Sequence, residues 1–179
     1  MRLFQSLVPV SALLALLTAC GSGESNVESG NREGYLHYGN GAEPQGLDPQ
    51  VVTGVPENHI VRALFEGLAV KNPKTLEPEP GVAERWEISE DGTVYTFYIN
   101  PEAKWSNGEA MTASDYVWSW NRALHPDTGS LYAYMLYPII NSEAYSKREI
   151  TDFNEVGVKA LDDQTLQVTL NAPTPYFLQ

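Results

Sequence analysis

The sequence predicts a mixed α/β fold, and three observations carry that prediction. Ile60, Val61, Leu64, Phe65 and Leu68 recur at helical spacing. Two stretches, "RWEISEDGTVYTFYINP" and "VGVKALDDQTLQVTL", alternate apolar and polar residues about an Asp-Gly and an Asp-Asp turn. Between them, Thr112 and Asp115 form a capping-box pair ahead of a second helical stripe.

The first 19 residues begin with Arg2, run apolar from Leu7 to Leu17 and end on small Thr18 and Ala19. This is the pattern of a secretory signal peptide, 1–19. The apolar run falls short of the roughly 20 residues a membrane span needs. Leu17-Thr18-Ala19-Cys20 resembles the bacterial lipobox. That resemblance implies cleavage before Cys20 and lipid on its sulfur and new amino group. The alternative is a soluble secreted protein with an unrelated cysteine. Cys20 is the only cysteine, so an internal disulfide and a thiolate zinc site are both excluded. Residues 20–33, "CGSGESNVESGNRE", have almost nothing apolar to bury and are expected to form a flexible tether.

Folding is expected from Gly34. "GYLHYGN" predicts a short strand and "GAEPQGLDPQ" a turn-rich loop. Pro56 suits the first turn of a helix that Gly67 should end. "KNPKTLEPEPG" reads as a proline-rich connection. In the first hairpin, Asp91-Gly92 supplies the turn, and Tyr95, Phe97 and Ile99 alternate with Val94, Thr96 and Tyr98. Ser106-Asn107-Gly108 is a turn. Ala113, Tyr116, Val117, Trp120 and Leu124 share one helical face, from which Trp118 points away. A further helix is expected from Gly129 towards Pro138. In the second hairpin, Val156, Val158 and Ala160 face the same way on one arm, and Leu166, Val168 and Leu170 on the other.

Charge narrows the partners. Eleven Lys and Arg stand against 23 Asp and Glu, with no basic run, so neither nucleic acid nor a polybasic grip on lipid is expected. His37, His59 and His125 are scattered outside any HExxH pattern, no GxSxG elbow is present, and the glycines of residues 39–46 do not make GxGxxG. No catalytic residue, metal ligand or cofactor is assigned. Three of the four tryptophans, Trp86, Trp105 and Trp120, read as packing for a small domain rather than as a ligand platform.

"GVAERWEISEDGTVYTFYINPEAKWSNGEAMTASDYVWSW" resembles the signature of the peptide- and nickel-type solute-binding proteins of ABC importers. The match rests on GVAE-x-W, the strand before A-K-W-S-N-G, and T-A-x-D-Y-V. "GLDPQVVTGVPENHIVRALFEGL", "GSLYAYMLY" and "VGVKALDDQTLQVTLNAPTPYF" are similar to its oligopeptide-binding branch. The resemblance implies a periplasmic-binding-protein-like clamshell of type II with an extra lobe, of which this chain holds the N-terminal part. Residues 34–65 would begin the main ligand-binding lobe and 66–179 a nearly complete accessory lobe, the chain ending before the remaining lobes. It implies a monomeric, non-enzymatic protein of the cell envelope, held to the membrane through Cys20. Its partners would be an oligopeptide ligand and the permease subunits of an ABC transporter. Dipeptide, murein peptide or a nickel chelate are alternative ligands, and a truncated lipoprotein that binds nothing is a further alternative. Carried over by position, the ligand loop falls on Thr53, Gly54 and Val55, and a site-lining tyrosine on Tyr132. A plain turn before a helix and a core tyrosine are the competing readings of those residues. Thr53 stands where the family carries an acidic side chain, which leaves the backbone as the contact expected there.

Overall fold

The computed structural model describes residues 24–178. The expected signal peptide, 1–19, and Cys20 lie outside the described residues. The chain divides into two compact units between Asn40 and Gly41.

In the first unit, the expected tether is in part a helix, α1 (Asn26–Glu33). Local capping overrides the polar composition. Ser25 accepts a hydrogen bond from the Glu28 N–H at 3.2 Å, and the Glu28 carboxylate accepts from the Ser25 N–H at 2.9 Å. Gly34 ends the helix at φ 78°, its N–H reaching the Gly30 carbonyl at 2.8 Å. The strand expected over residues 34–40 does not form. Its apolar members Tyr35, Leu36 and Tyr38 are exposed.

The second unit opens with an irregular loop, residues 41–54, leading into α2 (Val55–Leu64). Pro56 lies in the first turn of α2, as the sequence requires. The helix stops at Leu64, before Gly67, and Phe65 is extended at φ −122°. Pairing farther down the chain causes the early stop. The carbonyls of Gly67 and Leu68 accept hydrogen bonds from the N–H groups of Val82 and Ala83, at 2.9 and 3.0 Å, so the chain must leave the helix early. The anticipated apolar face is correspondingly incomplete, with Leu64 and Phe65 exposed. The proline-rich connection holds a small ribbon that composition concealed. β1 (Ala69–Lys71) pairs antiparallel with β2 (Pro78–Pro80). The Asn72 side chain accepts from the N–H groups of Lys74 and Thr75 to make the turn.

The core is a four-stranded antiparallel sheet of β3 (Ala83–Ile88), β4 (Val94–Ile99), β5 (Val158–Ala160) and β6 (Thr165–Thr169), in the order β3-β4-β6-β5. Both predicted hairpins form, and the pairing of β4 with β6 joins them. Tyr95 faces Val168 and Phe97 faces Leu166, so the alternating residues of both hairpins fall on one face. That face is covered by α3 (Ala113–Leu124), which lies on β5 and β6. Phe97, Ile99, Leu124, Leu166 and Val168 are each no more than 2% exposed, and each such side chain stabilises by about 1.5–3 kcal/mol relative to exposure. At the start of α3, Asp115 accepts the Thr112 N–H at 2.7 Å. The helix expected from Gly129 towards Pro138 is reduced to one 3₁₀ turn, Ala133–Leu136, and a second 3₁₀ turn, Pro126–Thr128, precedes Gly129. Gly129, at φ 66°, breaks continuity between them. A short α4 (Ser142–Ser146), unmarked in the sequence pattern, packs its Tyr145 into the core.

Three of the four tryptophans fall where the sequence put them, and Trp105, expected to pack, is 39% exposed instead. Trp86 and Trp120 pack on the core, and Trp118 is 65% exposed. Trp105 is partly exposed, its indole N–H 3.4 Å from the Asp115 carboxylate.

Candidate functional site

The sequence-derived residues Thr53, Gly54 and Val55 form the end of the irregular loop and the first position of α2. Thr53 and Val55 are exposed. Gly54 is the N-cap, with extended backbone at φ −83°, ψ 158°. Pro56 has no N–H and the Glu57 N–H serves its own carboxylate, so the N–H groups of Gly54 and Val55 are the helix-start donors at this corner without an intrahelical acceptor.

Tyr132 is brought to the same corner from 79 residues away. It is 46% exposed, so it is neither a core tyrosine nor part of a regular α-helix. Its hydroxyl donates to the Thr53 carbonyl at 3.4 Å, and its ring meets Tyr134 edge-on at 6.1 Å. Thr53, Val55 and Tyr132 are thus exposed and Gly54 is half-buried, and Tyr132 touches the loop directly.

The loop is braced by residues that sequence reasoning did not single out. Glu57, in the first turn of α2, is buried, and its Oε1 accepts the Gln45 N–H at 2.7 Å. This hydrogen bond, with one from the Glu57 N–H itself, holds the Glu57 carboxyl below the usual range against the opposing effect of burial. The carboxylate fills the space a side chain at position 54 would need. Farther along the loop, Asp48 is gripped by Arg122 of α3, at 3.0 Å for Oδ1 and 2.5 Å for Oδ2. The Arg122 hydrogen bonds hold the Asp48 carboxyl low. Asp48 and Arg122 stand 74 residues apart, so their pairing leaves no local signal in the sequence.

A cleft of about 510 Å³ runs along this loop, lined among others by Gln45, Asp48, Thr53, Gly54 and Glu57. A wider cleft of about 730 Å³ lies elsewhere, walled by Phe65, Trp105, Met111 and Tyr116. Burial, foremost, pushes the Tyr116 hydroxyl strongly up. Among the described residues, no three His, Cys, Asp or Glu side chains gather as a metal cage. No described helix is long and apolar enough to cross a membrane. The loop corner offers hydrogen bonding by main chain and by the Tyr132 phenol.

This four-stranded sheet packed under one helix aligns with solved structures of peptide-binding proteins. The sequence profile of the bacterial extracellular solute-binding proteins, family 5 Middle, matches residues 77–179, and the chain belongs to that family. It is 42% identical over 180 residues to the periplasmic oligopeptide-binding protein OppA of Salmonella typhimurium, a match covering 97% of this chain and 32% of that protein. It is 39% identical over 181 residues to the oligopeptide-binding protein OppA of Bacillus subtilis, covering 97% of this chain and 33% of that one. Among solved structures, Haemophilus influenzae OppA in complex with the peptide RPPGFSPFR aligns with TM-score 0.73 and 38% identity, over 78% of this chain and 27% of that chain. The Escherichia coli murein tripeptide binding protein MppA aligns with TM-score 0.72 and 40% identity, over 76% and 26%. The chain thus spans about a third of the length of the curated relatives it matches.

Proposed function

We propose that the protein captures oligopeptides in the cell envelope as the substrate-binding component of an ABC importer and hands them to the membrane permease. The observation that carries this reading is the 42% identity, over 97% of the chain, to a periplasmic oligopeptide-binding protein. The loop corner supplies a physical means. A carrier of varied peptides must recognise what all peptides share, which is the main chain. Thr53, Gly54 and Val55 present backbone groups, and the Tyr132 phenol stands at the Thr53 carbonyl. On this reading residues 34–65 open the main lobe, residues 66–179 form the accessory lobe, and lipid on Cys20 holds the protein at the membrane as a monomer.

Identity alone does not divide ligand classes. A dipeptide-binding protein of Bacillus subtilis and a probable deoxycholate-binding protein of Escherichia coli are each 41% identical over shorter stretches. The test is calorimetry on the protein as its gene encodes it, with di- to pentapeptides of mixed sequence, murein tripeptide and deoxycholate. Ligand eluted from the purified protein is identified by mass spectrometry. Binding across tri- to pentapeptides regardless of side chain supports the proposal. Exclusive binding of deoxycholate or a single dipeptide overturns it.

A further inference from the structure

We infer that Arg122 is the positioning residue of the peptide-binding loop: from the middle of α3 its guanidinium fixes the segment that presents Thr53, Gly54 and Val55. The inference rests on the peptide-binding reading above and extends it to a residue that itself stands apart from the ligand corner.

The loop needs such a device. Residues 41–54 carry no helix or strand and include Gly41, Gly46 and Gly54. A loop left mobile would have to be ordered by each arriving peptide, and that ordering cost comes out of affinity. Arg122 removes part of the cost beforehand. Its two terminal nitrogens take the two oxygens of Asp48, at 3.0 and 2.5 Å, and one of them also meets the Gln50 side-chain oxygen. The Gln50 amide in turn donates to the Ser119 carbonyl at 2.8 Å and to its hydroxyl at 2.9 Å. Ser119 and Arg122 are three residues apart on α3, so one helix face holds two successive anchor points. Asp48 transmits the grip along the chain. Its carboxylate accepts the Gln50 N–H at 3.1 Å, and its carbonyl accepts the N–H groups of Val51 and Val52, each at 3.1 Å. The next residue is Thr53, whose carbonyl Tyr132 holds.

Geometry distinguishes this from a generic surface ion pair. The Asp48 and Arg122 side chains are 40% and 36% exposed, so the pair contributes little to global stability. A planar fork meeting a carboxylate fixes orientation, which a lysine cannot do. Its effect is therefore expected in loop order and peptide affinity, with the melting temperature almost unmoved.

The test uses the protein as its gene encodes it, with amide hydrogen exchange over residues 49–55 and calorimetry against mixed-sequence tripeptides. Arg122→Gln should speed exchange of those amides about ten-fold and weaken every tripeptide about three- to ten-fold, with the melting midpoint within about 2 °C of wild type. Arg122→Lys should recover little, and the exchanged pair Asp48→Arg with Arg122→Asp should recover part of both effects. Exchange and affinity within about two-fold of wild type in Arg122→Gln would overturn the inference, as would full recovery by Arg122→Lys. A large fall in melting temperature with faster exchange throughout the sheet would also overturn it, since Arg122 would then be merely structural. If wild type binds no tripeptide, the peptide-binding reading fails, and the exchange data alone still decide whether Arg122 orders the loop.

Discussion

A Cβ at Gly54 would lie 1.9 Å from the Glu57 Oε2. The carboxylate curls back over the first turn of α2, buried, with its other oxygen on the Gln45 N–H. Glycine at 54 thus answers first to a neighbour within the protein. An alanine there must push the carboxylate aside and release Gln45. Gly54→Ala is expected to lower the melting midpoint by about 2–6 °C. Combined with Glu57→Ala it should fall no further than Glu57→Ala alone, because the clash partner is gone. Thermal melts of the two single variants and the double variant check this.

The same carboxylate gives the loop an acid limit. The Gln45 N–H, foremost, holds Glu57 below its ordinary value of 4.5. Arg122 does the same for Asp48, below 3.8. A depressed carboxyl binds its proton more weakly when folded than when unfolded, so its stabilising effect is complete above the ordinary value and is lost as pH falls through the folded one. Loop amides 45–57 should therefore keep constant protection from neutral pH down to the ordinary carboxylate range and lose it below. Glu57→Gln should blunt that acid loss. Exchange rates, corrected for intrinsic pH dependence, measure both.

The sheet sets overall stability. Leu166 is fully buried on β6, directly opposite Phe97 on β4. Leu166→Ala opens a cavity under α3 and is expected to cost about 2–5 kcal/mol. Urea denaturation monitored by tryptophan fluorescence reads that loss.

Near neighbours in the chain left legible signals, and distant ones did not. The alternation of Tyr95, Phe97 and Ile99, the Thr112–Asp115 cap and the exposure of Trp118 each depend on a few consecutive residues. The Ser25–Glu28 box was equally local but was masked by a composition that otherwise reads as tether. Features set by distant pairing were hidden. The early end of α2 depends on Val82 and Ala83, and the joining of two hairpins into one sheet depends on β4 meeting β6. At the candidate site, the loop corner came from family resemblance, whereas its braces, Glu57 on Gln45 and Arg122 on Asp48, span 12 and 74 residues. Only the folded chain brings those together.

Binding of peptide through the main chain of the Thr53–Val55 corner is the central claim, and Val55→Pro tests it most directly. Proline at the first position of α2 keeps the helix start and succeeds a Gly54 already in the extended conformation it requires, but it removes one N–H. Calorimetry of Val55→Pro and Val55→Ala against mixed-sequence peptides should show about a five- to ten-fold loss for proline, the same for every peptide, and almost none for alanine. Unchanged affinity in Val55→Pro, or a loss that depends on peptide side chains, would contradict main-chain recognition at this corner.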